Sequence, residues 1–394
     1  MSEREPVKNW VTDWDHMDPE WSKDPFPIWD EVRTAECPLA RTERYGGVYM
    51  PTRFKFMQYF TAYTETFSSR QVVVRETQPE AQGGAPPITS DPPRHRLARM
   101  KIMPPFSGHE IKKLIPRTQE ICNQLIDQFA DKGKFDGAED YAQNIPVHVI
   151  AHMLAIPEAD ADQFRKWIRL IVIDGVIDDQ AMHSGLHELT NYFHERLPER
   201  RANPGDDIIS FLLKQTYDDG EPLKENHVLG SLRLILVAGI DTTWSAIGAS
   251  IWHLANNPQD RERLVAEPEL MKSAVEEFLR AYAPVTMARL VAKDTEVSGC
   301  PMKAGEMLLL PFPAANRDPD QFERPDEVIL DREDNKHVAF GMGIHRCVGM
   351  HLARMEIRVA LEELLKRIPN FEPAGETTWS LGSIRGPRQL PLKF

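Results

Sequence analysis

Apolar residues recur at helical spacing through most of the stretch from Arg94 to Asn256, with breaks expected at Pro104-Pro105, Lys132-Gly133, Pro157, Pro198 and Asn203-Pro204-Gly205. From Glu225 to Asn256 the pattern runs uninterrupted for about nine turns at 3.6 residues per turn, long enough to cross the whole molecule. Further helices are predicted over Phe26 to Thr34, from about Glu269 to Tyr282, and from about Val348 to Arg367. Elsewhere the period shortens. Tyr45 to Pro51 and Phe67 to Arg75 read as short strands or turns, and Val291 to Leu310 alternates around Gly299 and Gly305 as a small hairpin region. The first thirty residues hold four Trp among Pro and Asp and read as a loop leading into the first helix. Glu76 to Pro93, with five Pro and two Gly, is a long loop of a kind that compact domains keep for functional or moving segments. No internal repeat interrupts this order. The pattern predicts one mainly α domain over residues 1–394 with minor β structure.

Composition narrows the class. A chain of 394 residues buries about three quarters of its unfolded surface and has room for a large cofactor. No apolar run approaches the roughly 20 residues that span a bilayer, and the longest candidate, Leu232 to Ile240, is interrupted by Arg233. Met1 to Glu5 lacks the basic-then-apolar order of a secretory signal. Cys37, Cys122, Cys300 and Cys347 form no CxxC pair and no disulfide framework, which points to a reducing cytosol. A net charge of −13 argues against nucleic acid as a partner. The expectation is a cytoplasmic protein with no membrane attachment.

One cysteine stands apart. Cys347 lies in Phe340-Gly341-Met342-Gly343-Ile344-His345-Arg346-Cys347-Val348-Gly349, directly before the last predicted helix. Helix N-terminal amides lower a thiol pKa, and glycines let backbone amides approach sulfur. The segment matches F-x-x-G-x-x-x-C-x-G at every fixed position and resembles the haem-ligand loop of the cytochrome P-450 family. That resemblance implies haem b (iron protoporphyrin IX) with the Cys347 thiolate as axial ligand, a role that thiolate plays in the family by pushing electron density toward O–O cleavage. It also implies Phe340 packed by the sulfur, with Gly343 and Gly349 admitting porphyrin and backbone.

Three further segments carry the resemblance. Ala238-Gly239-Ile240-Asp241-Thr242-Thr243 sits midway along the long helix, where Gly and two Thr lower propensity and a Thr hydroxyl can loosen the ladder. It is similar to the family's oxygen-binding groove, which implies that Asp241 and Thr242 relay protons and that Ala238 lies against the cofactor. Glu277-Phe278-Leu279-Arg280 supplies E-x-x-R, a structural pair that the family completes with a downstream Arg, for which Arg332 and Arg324 are the candidates. Asp91-Pro92-Pro93-Arg94-His95-Arg96-Leu97-Ala98-Arg99 resembles the family's D-P-P…H-x-x-x-R helix start. By the same resemblance His95, Arg99, Arg289 and His345 grip the haem propionates.

The resemblance runs from Asp24-Pro25-Phe26 to Ile368-Pro369-Asn370-Phe371, with one departure at Glu327-Val328, where relatives often carry an aromatic. It implies a cytochrome P-450 fold, a large helical domain with a small β-rich region, and haem between the long central helix and the cysteine-loop helix. The implied activity is insertion of one oxygen atom from O2 into a small or medium hydrophobic substrate, by hydroxylation or dealkylation. Leu234, Val237, Val285 and Met287, with the loop Val72 to Ile88, are the expected pocket wall. No nicotinamide or flavin domain is evident, so the electrons must arrive from a separate iron–sulfur ferredoxin and its reductase. Residues 94–113 hold six Lys/Arg against one acid, a basic patch on an acidic chain that suits such a partner. Competing sites are weak: His148/His152 and His183/His187 have i, i+4 spacing but neither H-E-x-x-H nor a third ligand. A peroxide-driven enzyme would usually lack the acid–alcohol pair, and a haem sensor or carrier would not need it.

Overall fold

The computed structural model describes residues 4–75 and 84–394; residues 76–83 of the expected pocket wall lie outside them. Helices make up most of the chain. The longest spans Glu225–Asn256, the bounds its apolar pattern predicts, and packs against the helices Asn144–Met153, Asp179–Ala202 and Met350–Arg367. It is the one helix among the described residues long and apolar enough to cross a membrane, yet 72% of its apolar window is buried by protein. A core helix passes the same test as a membrane span, and here the neighbouring helices take the place of lipid.

A five-stranded sheet forms the second layer, in the order Leu39–Thr42, Val48–Pro51, Met307–Pro311, Thr286–Val291, Phe67–Ser68. All pairings are antiparallel except Val48–Pro51 with Met307–Pro311. Alternation sorts its side chains onto two cores. Leu39, Tyr49, Leu308 and Leu310 join Phe54, Phe56 and Phe60 of the helix Phe54–Ala62. Ala40, Val48, Met50 and Leu309 face Trp14, Trp21 and Trp29 of the N-terminal segment. Both faces are covered, which is why Met307–Pro311 is an unbroken buried apolar run rather than an alternating one. The predicted hairpin forms between Thr295–Val297 and Cys300–Met302, turning at Ser298-Gly299.

Two expectations need correction. The helix Asp179–Ala202 continues through Pro198 instead of breaking. Pro198 and His194, whose carbonyl loses its hydrogen bond, both face solvent, where water replaces the missing donor. The long helix also stays continuous over Ala238–Thr243 although Thr242 Oγ1 donates to Ala238 O at 2.7 Å. Gly239 there serves close packing: a Cβ on it would lie 3.1 Å from Ile150 Cδ1.

Candidate active site

Two left-handed glycines shape the cysteine loop. Gly341 and Gly343 have φ of 67° and 65°, a region that strains any residue with a Cβ. At Gly343 the added atom would also lie 2.7 Å from the carbonyl oxygen of Thr61, so the loop fits against the end of the helix Phe54–Ala62 only as glycine. The reversal lets the Cys347 amide donate to Phe340 O at 2.8 Å. The guanidinium of Arg354 lies 4.5 Å from the centroid of the Phe340 ring, and Glu276 binds that same Arg354 at 2.6 Å and His337 at 3.0 Å. Gly349 then starts the helix Met350–Arg367, and its amide hydrogen-bonds the Cys347 sulfur.

Cys347 has an exposed side chain, yet burial is the main influence on its thiol, so its sulfur opens on an internal cleft. Burial pushes the thiol pKa up, against the lowering effects of the Gly349 amide, Arg99, Arg354 and Arg346. The helix terminus alone would lower it; desolvation wins for the uncoordinated thiol. A metal ion at the sulfur inverts that balance, because a coordinating thiol is deprotonated outright.

Four basic side chains gather at this cleft. His95 and His345 lie ring against ring in a tilted arrangement, centroids 4.2 Å apart and planes at 58°, and the Nε2 atom of each is buried without a hydrogen-bond partner among the described residues. Arg99 donates to Arg346 O at 2.6 Å, and among the described residues Arg289 donates only to Ala288 O, at 2.7 Å. Burial lowers the pKa of Arg289 to about 10 and that of His345 to about 3, the latter pushed further by Arg289, His95 and Arg99. No carboxylate pairs with any of the four among the described residues. Unsatisfied donors and clustered positive charge of this kind call for an anionic ligand. Haem b, with two propionates and an iron open to a thiolate, fits that donor set.

The long helix leaves one stripe accessible. Leu234, Ala238 and Thr242 recur one turn apart and are partly or fully accessible, although Ile235, Leu236, Ile240, Asp241 and Thr243 around them are buried. A stripe at i, i+4, i+8 on an otherwise buried helix marks where it borders the cleft. Val237, Val285 and Met287, also expected at the pocket, are half-buried. Val285 forms a bridge with Ile384, which brings the C-terminal segment alongside it. Asp241 and Thr242 do not bond each other. The Thr242 hydroxyl is held by Ala238 O, and the Asp241 carboxylate lies 2.7 Å from the guanidinium of Arg388. Burial raises the Asp241 pKa and Arg388 opposes the rise.

The E-x-x-R pair is fully buried and complete. Glu277 accepts from Arg280 at 2.8 and 2.9 Å, from Arg332 at 3.0 Å and from the Ile329 amide at 2.8 Å. Arg332 is therefore the third member, while Arg324 pairs at the surface with Glu327. Arg280 and Arg332 both donate to the carbonyl of Glu327, so the departure at that position leaves its backbone role intact. His183 and His187 are spent on local contacts with Asp179 O and Asn191.

Sequence reasoning missed three participants. Arg388 pairs with Asp241 across 147 residues, for which no local spacing gives a sign. Glu276 holds the cysteine loop through Arg354. Glu356, on the helix that follows Cys347, is fully buried with neither oxygen hydrogen-bonded among the described residues, and burial raises its pKa well above the ordinary carboxylate value. That residue was legible in principle, as a carboxyl set inside the apolar stripe Leu352, Met355, Val359.

Comparison with known proteins agrees with this geometry. Residues 179–375 match the family model described as Cytochrome P450. The chain is 35% identical to the mycinamicin IV hydroxylase/epoxidase of Micromonospora griseorubida, over 80% of this chain and 81% of that protein. It is 34% identical to the vitamin D(3) 25-hydroxylase of Pseudonocardia autotrophica, over 89% and 87%. Among solved structures it superposes on the bacillaene polyketide synthase cytochrome P450 PksS of Bacillus subtilis 168 with a TM-score of 0.89, 29% identity and coverage of 96% and 99%. With CYP109E1 of Bacillus megaterium, solved in complex with testosterone, the TM-score is 0.87 at 31% identity, covering 95% and 98%. Members of this family bind haem b through an axial cysteine thiolate. Its motifs, its fold and these relatives agree: the chain belongs to the cytochrome P450 family and is a haem-thiolate monooxygenase.

Proposed function

We propose that Cys347 is the axial thiolate of this enzyme, that His95, Arg99, Arg289 and His345 hold the propionates, and that Asp241 and Thr242 deliver protons. The observation that carries this reading is the convergence of four basic side chains, none with a carboxylate partner among the described residues, on the cleft into which Cys347 opens. Bound haem supplies the activation of dioxygen. The reaction inserts one oxygen atom of O2 into a C–H bond and releases the other as water, consuming two electrons and two protons.

Everything else falls to side chains. Phe340, Gly343 and Gly349 keep the sulfur in a fixed, low-dielectric position, and the small side chain of Ala238 leaves room on the facing helix. Asp241 is suited to carrying protons because burial raises its pKa, favouring the protonated form, while Arg388 favours the ionised one. Thr242 offers a hydroxyl one residue on, at the cleft surface. Leu234, Val237, Val285 and Met287 exclude water and orient an apolar substrate of small or medium size. We assign the electron supply to a ferredoxin with its reductase, docking on the exposed basic residues Arg94, Arg96, Lys112 and Lys113. The reading places one functional domain over residues 1–394 in the cytosol.

The test is the absorption spectrum of the purified, reduced protein under carbon monoxide. The strongly red-shifted band of thiolate-ligated haem is expected, together with its loss in Cys347→His. A band of nitrogen-ligated haem in the folded wild-type protein would overturn the assignment. Asp241→Asn with unchanged product formation over a panel of apolar compounds would overturn the proton role.

A further inference from the structure

Two thiols meet far from the haem site. Cys37 lies in the irregular segment between the helix Phe26–Thr34 and the edge strand Leu39–Thr42, and Cys300 opens the second strand of the Thr295–Met302 hairpin. They are 263 residues apart in sequence, and their Sγ atoms are 3.4 Å apart. Cys37 is exposed and Cys300 is partly so. The Cys37 thiol also donates to Leu39 O at 3.0 Å, which fixes its direction. Their neighbours contribute no third metal-binding side chain, and no such cluster occurs among the described residues.

We propose that Cys37 and Cys300 form an oxidisable dithiol site whose ligand class is peroxides, closing reversibly to a surface disulfide. The separation exceeds the 2.03–2.05 Å of an S–S bond by little more than an ångström. Cys37 sits where no helix or strand constrains the backbone, so a change of its side-chain rotamer with a small shift of that segment brings the sulfurs together. Accessibility assigns the order of events. The exposed Cys37 meets the oxidant first; Cys300, whose pKa burial and the adjacent Cys37 thiol push up to about 11, is the resolving partner.

In the first step the Cys37 thiolate attacks one oxygen of the peroxide. The O–O bond breaks, a sulfenic acid forms, and hydroxide (or alkoxide) leaves and takes up a proton. In the second step the Cys300 sulfur attacks the Cys37 sulfur. An S–S bond forms, the S–O bond breaks, and water departs with the Cys300 proton. In sum, two thiols lose two electrons and two protons, and hydrogen peroxide is reduced to two waters. A dithiol reductant reverses the change by thiol–disulfide exchange. The new bond would tie the outer strand of the five-stranded sheet to the hairpin beside Phe56 and Tyr59, on the helix whose Thr61 end supports Gly343. It closes a long loop and is expected to raise the thermal midpoint.

The experiment treats the folded holoenzyme with hydrogen peroxide, and in parallel with diamide to separate thiol chemistry from haem damage. Alkylation of remaining thiols and non-reducing peptide mapping follow. The expected result is a Cys37–Cys300 linked peptide lighter by two hydrogens, two fewer alkylatable thiols, and full reversal by dithiothreitol. In Cys300→Ser, Cys37 should proceed instead to over-oxidised or mixed-disulfide forms. Peptide mapping that finds both thiols still alkylatable after treatment, or Cys37 oxidised or cross-linked between molecules while Cys300 stays free, would overturn the proposal. Because the readout is a peptide mass in wild-type protein, it does not depend on the variant folding or on turnover.

Discussion

Arg388 reaches from the strand Pro387–Gln389 into the interior and sets its guanidinium 2.7 Å from the carboxylate of Asp241. Its plane lies 4.3 Å from the centroid of Trp244, one helical turn along, and it donates to Ser245 Oγ at 3.2 Å. A C-terminal strand thus places a counter-charge against an acid in the middle of the longest helix. Breaking a buried pair from one side typically costs about 3–5 kcal/mol because an unpaired charge remains. We expect Arg388→Met to lose somewhat less than this, since Asp241 can take up a proton, and Arg388→Lys to lose least. Urea unfolding of the three proteins at neutral pH measures the order.

The raised pKa of Asp241 has a definite sign in stability. An acid that binds its proton more tightly when folded makes the native state less stable as pH rises from the unfolded value, 3.8, through the folded one. Asp241→Asn should remove that slope. It should also lower product formation by about 100-fold or more, the usual contribution of a placed proton donor. The substrate-induced spectral change should remain. Stopped-flow and product analysis in light and heavy water would show whether the step lost is a proton transfer.

Glu276 has the opposite behaviour. Its contacts with His337 and Arg354 outweigh burial and lower its pKa to about 2. The stability it contributes is complete above its ordinary value of 4.5 and is lost as pH falls from there toward 2. Glu276→Gln should therefore cost about 1–2 kcal/mol at pH 7, a figure reduced for its partial exposure, and progressively less as pH falls toward 2. Denaturation across pH 3 to 7 resolves the convergence, and the cysteine loop, held through Arg354 and Phe340, should be the first region to lose amide-exchange protection.

Arg332→Ala removes one donor from Glu277 and leaves the remaining carboxylate with Arg280 at zero exposure. A loss of about 3–5 kcal/mol is expected, with poor retention of haem after mild heating. Arg324→Ala, a surface pair, should fall within about 1 kcal/mol of the wild type. The contrast between the two arginines, followed by thermal unfolding, checks which one belongs to the network.

Gly343→Ala should be costly for two reasons at once: a φ of 65° and a Cβ 2.7 Å from Thr61 O. Strain of this type amounts to about 1–3 kcal/mol. We expect a lower thermal midpoint and a smaller fraction of thiolate-ligated haem in the carbon monoxide spectrum. Gly299→Ala, at a hairpin turn with open space around it, tests positive φ without the clash.

The helices Phe26–Thr34 and Glu225–Asn256 were legible to the residue because Pro or Lys before them and non-helical Ala or Asn after them interrupt a strong apolar period. The cysteine loop was legible because its glycines and cysteine are fixed by backbone geometry rather than by packing. Phe54–Ala62 was not predicted as a helix: Phe-Lys-Phe-Met-Gln-Tyr-Phe has strand propensity, and only its packing between the sheet and the cysteine loop selects the helical form. The two- and three-residue strands after Phe371 are too short to show any period. Arg388 was hidden for a related reason, since a cation inside a three-residue strand looks like any surface arginine until the fold brings it to Asp241.

The distance along the chain between Asp241 and Arg388 also has a meaning in time. A ribosome adding about 5–20 residues per second takes roughly 7 to 30 seconds to cover those 147 positions. Throughout that interval the central helix exists without the counter-ion for its acid and, for most of it, without position 347. A nascent chain can therefore assemble its helical layers early, but it cannot present a finished chamber for its pigment until translation has passed Arg388. Synonymous codons that slow that final stretch should prolong a colourless, protease-sensitive species in the cell.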